Sequence, residues 1–221
     1  MGSELWGEKI DGGWYNDASH CYRDEAGIVL PSVTGVFDAL GLSDFSGIDP
    51  AVLEWKRQYG TALHRGVELL VAGNLDWDSV DDALIPALTG IEQWLRQVEY
   101  QPVAQEEKKI IVLNSMRVGG ILDLRGSLVF KGRRRPCILD IKTGAKFSPT
   151  WIWQIGAYSG GAPKIQGDVY IGAALQVDRE GDVKPHWVDV VKSLREFIIL
   201  LAAANLAANA KLVKFKNSEE E

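Results

Sequence analysis

The chain has 221 residues, 46% of them hydrophobic, and a formal net charge of −6. That is enough apolar material for one sizeable core, and two cysteines cannot build a disulfide framework, so a reducing cytoplasm is the expected compartment. No run approaches the ~20 apolar residues of a membrane span, and the acidic balance argues against gripping nucleic acid with the surface as a whole.

Residues 1–28 read as irregular or short-stranded, polar and aromatic, without the apolar run of a secretory leader. Ser32 or Thr34 is placed to cap a short helix over 33–40, ended by Gly41. Pro50 to Ala72 predicts a long helix with proline in its first turn, Gly73-Asn74 at its end and His64 mid-way. A second helix is expected from Asp78-Ser79 to about Tyr100, its apolar face carrying Ile85, Leu88, Ile91, Leu95 and Val98. Strands follow over 103–113, 118–130 and 136–142, then a helix over 149–159. A hairpin of 168–177 and 183–190 turns around Arg179-Glu180-Gly181, and a closing helix runs from Ser193 to about Val213. No repeat or linker divides the chain. The expectation is one α/β domain: an N-terminal helical part (1–100), a mixed central sheet flanked by helices (101–190), and a closing helix and tail (191–221), with the site at one sheet edge.

The chemistry is concentrated in residues 119–158. Gly119-Gly120-Ile121-Leu122-Asp123 is followed by Ile138-Leu139-Asp140-Ile141-Lys142, then Gln154-Ile155-Gly156-Ala157-Tyr158. Lys131-Gly132 suits a two-residue hairpin turn, because glycine tolerates φ > 0. A turn centred there sets Asp123 opposite Asp140, with Cβ atoms roughly 4.5–5.5 Å apart. Alternation puts Lys142 on the Asp140 face and Ile141 on the other. Carboxylates that close repel unless one takes a proton or a cation lies between them. Oxygen ligands of this kind suit Mg²⁺ or Mn²⁺, which would polarise a phosphate and acidify a water, while Lys142 stabilises developing charge. An Asp-Lys pair alone is a common solvated arrangement. The glycine-led Asp123 and the Gln154/Tyr158 pair, i,i+4 on one helical face, turn it toward function. Lys108-Lys109, Arg117, Arg125, Arg133-Arg134-Arg135 and Lys146 cluster around these segments in sequence, as a local basic strip or as a solvated hairpin end.

Taken in order, these segments resemble the RecB-like exonucleases of the PD-(D/E)XK nuclease superfamily. The likeness extends upstream to Gly60-Thr61-Ala62-Leu63-His64, similar to that group's G-x-x-x-H helix motif. His20-Cys21-Tyr22 and Leu30-Pro31-Ser32-Val33-Thr34 are similar to the opening segment of phage and mitochondrial-genome-maintenance exonucleases. The matched positions spread over about 140 of the 221 residues. The resemblance implies a restriction-endonuclease-like core. It also implies Asp123, Asp140 and the Ile141 carbonyl as metal ligands, completed by His64, with Lys142 as the catalytic lysine. Glu107 matches a further family glutamate, with Glu106 beside it as the other candidate. Gln154 and Tyr158 would hold the active-site helix or the DNA; Ser32 and Thr34 either contact DNA phosphate or line its path, or cap the helix. Leu122 stands where the family's name-giving proline would be. Two cysteines exclude the four-cysteine iron–sulfur cluster of one branch of the family. The implied activity is Mg²⁺- or Mn²⁺-dependent DNA hydrolysis from a free or single-stranded end, in phage-type replication or recombination beside a replication or single-strand-annealing protein. The competing readings are a structure-specific endonuclease on the same core, a catalytically idle DNA-binding module, and a structural protein with surface ion pairs at these positions.

Overall fold

The computed structural model describes residues 6–43, 47–165 and 167–215. In chain order its elements are β1 (Glu8–Ile10), β2 (Gly13–Asn16), β3 (Cys21–Asp24), β4 (Val29–Leu30), α1 (Val33–Ala39), α2 (Pro50–Val71), α3 (Ile85–Gln97), β5 (Gln101–Leu113), β6 (Met116–Phe130), β7 (Arg133–Lys142), α4 (Pro149–Gly161), β8 (Ile171–Val177), β9 (Val183–Val188) and α5 (Val190–Asn209). Helices begin where side chains accept the first free N–H groups: Ser32 from Gly35, Asp49 from Ala51, Ser148 from Thr150 and Asp189 from Lys192. The helix expected from Asp78 begins later, at Ile85. Asp76 and Asp81 bond the nearby N–H groups of Asp78 and Ala83 in turns instead, and Pro86, lacking an N–H, fits only the first helical turn.

Strands β5-β6-β7-β8-β9 form a mixed sheet, antiparallel except for the β7–β8 pair, which α4 connects. Helices cover both faces. Leu63 and Val67 of α2 and Leu88 and Ile91 of α3 pack on Leu124, Leu139 and Leu175. On the other face, Phe37, Ile155 and Phe197 pack on Ile111, Val118 and Ile138.

The N-terminal part is not only helical. Strands β1 to β4 form a second, antiparallel sheet whose members are two to four residues long, too short to leave a readable alternation. It docks on the large sheet through Tyr15, Tyr22, Leu30 and Ile110, and the Gly119 N–H donates to the Pro31 carbonyl at 2.8 Å. The first glycine of the Gly119-Gly120 pair makes that approach possible: a Cβ there would stand 2.0 Å from the Tyr22 ring. Gly119→Ala should therefore lower stability by roughly 1–3 kcal/mol, since a buried ring must move. The thermal midpoint should fall by several degrees; an unchanged midpoint would contradict this docking.

Candidate active site

The hairpin that carries the site has the expected register. Lys131 and Gly132 both take positive φ, 50° and 75°, as a two-residue type I′ turn requires. Pairing runs from Phe130↔Arg133 to Leu124↔Leu139. The next positions in that register are Asp123 and Asp140, and there the ladder stops: the Ile141 N–H donates to Asp123 Oδ2 at 2.7 Å. Alternation along β6 also slips here. Leu122 packs under α4 and α5, whereas Leu124 packs under α2 and α3, although residues two apart on a regular strand share a face. The local parting of β6 and β7 lets groups from both faces meet. These are the second and third strands of five, so the carboxylates lie inside the sheet, not on an edge strand as expected.

His64 reaches in from α2, its Nδ1 3.2 Å from Asp123 Oδ2. From the other face α4 contributes Gln154 and Tyr158. Lys142 Nζ lies 2.6 Å from Asp140 Oδ2 and donates to Gln154 Oε1 at 2.8 Å; Gln154 Nε2 donates to the Tyr158 hydroxyl at 2.8 Å. Gln154 and Tyr158 are buried, so the Lys142 ammonium is held by a fixed amide and not by solvent.

The two carboxylates are differently set. Burial pushes Asp140 up to about 6, against the pull of Lys142 and with the help of nearby Asp123. Burial would raise Asp123 too, but His64, Lys142 and the Ile141 N–H together hold it below the ordinary carboxylate range. The Asp123 charge in turn raises His64, against the opposing effect of burial. Burial keeps the Tyr158 hydroxyl protonated.

Asp140 is only 1% exposed, and among the described residues its Oδ2 meets no donor besides the Lys142 ammonium at 2.6 Å. A buried carboxylate met by a single ammonium, with a second carboxylate nearby, has lone pairs left over that a hard divalent cation would satisfy. The pair therefore suits Mg²⁺ or Mn²⁺. Among the described residues, however, no three His, Cys, Asp or Glu side chains already converge as a metal cage.

A cavity of about 650 Å³ opens beside Asp123, His64 and Ile141, and Lys56, Arg57 and Arg65 of α2 line it. The sequence reading missed these cations, although helical spacing places Arg57, Gly60, Thr61 and Glu68 on the His64 face. The basic run around the hairpin lies elsewhere. Arg134 pairs with Glu99, Arg135 with Asp168 and Arg117 with Asp24. Glu107 also stands apart from the aspartates: it accepts two hydrogen bonds from Arg125, at 2.5 and 2.9 Å, and pairs with Lys109 at 3.8 Å. It faces the same side as Leu122, its partner across the ladder, so the structure does not support it as a ligand beside Asp123. The pairs Gln105↔Leu124 and Glu107↔Leu122 leave the backbone of residue 106 opposite Asp123. Ser32 caps α1, and its Oγ lies 3.3 Å from that of Thr34; both line a neighbouring cavity with Gln154 and Tyr158. No model of a known protein family matches the chain, and comparison with curated proteins finds no match either.

Proposed function

We propose that the chain is a metal-dependent deoxyribonuclease of the PD-(D/E)XK type that hydrolyses DNA phosphodiesters from a free or single-stranded end. The observation that carries this reading is the Asp123–Asp140 pair, interrupted from normal sheet pairing, with Lys142 anchored beside it by Gln154. Asp123, Asp140, the Ile141 carbonyl and His64 would hold a divalent cation. When bound, it supplies charge neutralisation at the scissile phosphate and a more acidic water. The remaining work falls to the chain itself. Lys142 presents an ammonium that stabilises negative charge gathering on phosphate oxygens as water adds to phosphorus and the P–O ester bond breaks. Gln154 fixes where that ammonium points, and Tyr158 fixes Gln154. Lys56 brings positive charge to the cavity where a DNA backbone would lie, beside Arg57 and Arg65, which pair with Glu54 and Glu68 of the same helix. The end preference rests on the resemblance to RecB-like exonucleases.

The test is cleavage of end-labelled single- and double-stranded DNA, linear and covalently closed, with Mg²⁺, Mn²⁺ and EDTA arms. Metal-dependent shortening of linear DNA is expected. Cutting of closed circles would replace the exonuclease by an endonuclease, and no cleavage in any arm would refute the nuclease. His64→Ala should raise the Mn²⁺ concentration for half-maximal rate by about tenfold or more. Asp123 favours the protonated imidazole, which cannot ligate, so the wild-type metal requirement should ease as pH rises through that transition. The variant should lose this part of the pH dependence, and an identical metal titration would remove His64 from the site.

A further inference from the structure

The cavity beside Asp123 has a neighbour. A second, of about 350 Å³, is walled by Ser32, Thr34, Gln154 and Tyr158, with the carboxylate of Asp38 also on its wall. Both volumes are in the range that accommodates small ligands, roughly 300–1,000 Å³. Two residues line both cavities, His20 and Ile121, and so form the divide between them. Ile121 is apolar; His20 is the residue on the divide that can donate a side-chain hydrogen bond.

His20 is exposed but not loosely held. Its Nδ1 lies 2.8 Å from the hydroxyl of Tyr15, which is 1% exposed and donates in turn to Asp17 Oδ1 at 3.2 Å. The turn beneath it is closed by Ser19 N–H to Asn16 Oδ1 at 3.1 Å, and it sets His20 at φ +50°, a left-handed conformation histidine adopts more readily than most residues. A chain of contacts from the core of the small sheet thus fixes an imidazole at the boundary of the proposed reaction chamber.

Resting on the nuclease reading, we propose that the two cavities are consecutive nucleotide positions along one DNA strand, and that His20 binds the phosphate between them. The scissile phosphate lies with Asp123, Asp140 and Lys142. The adjoining nucleoside lies against Ser32, Thr34 and Tyr158, and the strand must cross His20 and Ile121 to reach from one to the other. Because the Tyr15 hydroxyl donates to Asp17, its contact with His20 takes a proton from Nδ1, and Nε2 donates to a phosphate oxygen when it too is protonated.

The test uses short single-stranded oligonucleotides in which one phosphate at a time is replaced by an uncharged methylphosphonate. Wild type should show a KM penalty of about tenfold, the size of one lost hydrogen bond to a charged group, at one position next to the scissile phosphate. His20→Asn, which tolerates the left-handed backbone, should raise KM for the unmodified strand by a similar factor. It should change kcat less than about twofold and show no further penalty at that position. His20→Gly, which removes the backbone constraint altogether, should behave alike. Should the positional penalty persist at full size in the variants, or their KM stay at the wild-type value, His20 does not hold that phosphate. A wild-type protein that cuts none of the strands would instead refute the nuclease reading itself.

Discussion

Asp140→Asn is expected to abolish DNA cleavage and, at neutral pH, to make the metal-free protein more stable. The carboxyl is nearly sealed from solvent, and burial lifts it from 3.8 to about 6. The folded chain therefore holds that proton more tightly than the unfolded chain does. The favourable contribution is complete below the unfolded value and is lost as pH rises through about 6. Above that, the ionised group costs on the order of 1–3 kcal/mol, at about 1.4 kcal/mol for each tenfold change in proton affinity. Asparagine keeps the shape and an acceptor for Lys142, and it never ionises. Its thermal midpoint should exceed wild type by several degrees at pH 7.5, and the gap should close toward pH 4. Added Mn²⁺ should stabilise wild type and not the variant. An equal or lower midpoint at pH 7.5, or retained cleavage, would show that Asp140 is not the strained, ion-seeking group described here.

Lys142→Ala should lower cleavage by about 10²–10³-fold or more, the size seen when one preorganised donor at developing charge is removed. It should leave the sheet intact. The lost ammonium faces Asp140, which can respond by taking up a proton, so no buried charge is stranded below about pH 6. Metal affinity should persist, because Lys142 competes with a cation for the carboxylate and does not ligate it. The decisive readout is a split: Mn²⁺ binding retained, turnover lost. A variant that turns over at more than a tenth of the wild-type rate would remove the catalytic role assigned to Lys142. Gln154→Ala should give a smaller loss in the same direction, since it frees the ammonium without deleting it.

Much of this site was legible because it depends on local rules. A glycine-containing turn sets a hairpin register, and the register alone sets which residues face each other; Lys131-Gly132 thereby brought Asp123 level with Asp140. The helix holding His64 followed from Pro50 and the glycine at its end, and the i,i+4 spacing of Gln154 and Tyr158 matches their hydrogen bond. What sequence reasoning misplaced depends on distances the chain does not encode locally. Arg133 to Arg135 sit close to Asp140 in sequence, but an extended strand rises about 3.3 Å per residue, so Arg133 lies roughly 23 Å from it. The cations that line the cavity come instead from α2, more than fifty residues earlier in the chain than Asp123. Glu107 is unsupported as a ligand for a related reason: a strand residue faces the same side as its partner across the ladder, and the side Glu107 shares with Leu122 is where Arg125 binds it. Short strands were expected within residues 1–28, but their pairing into a sheet was not legible, because each is shorter than any period that could reveal a face.

The claim on which all this depends is that Asp123 and Asp140 jointly hold one divalent cation next to Lys142. The most direct measurement is the anomalous scattering of crystals of the protein equilibrated with Mn²⁺. A single strong peak bonded to an oxygen of each aspartate, and missing in Asp123→Asn crystals, is the predicted result. A peak bonded to neither carboxylate, or none at saturating Mn²⁺, would contradict it.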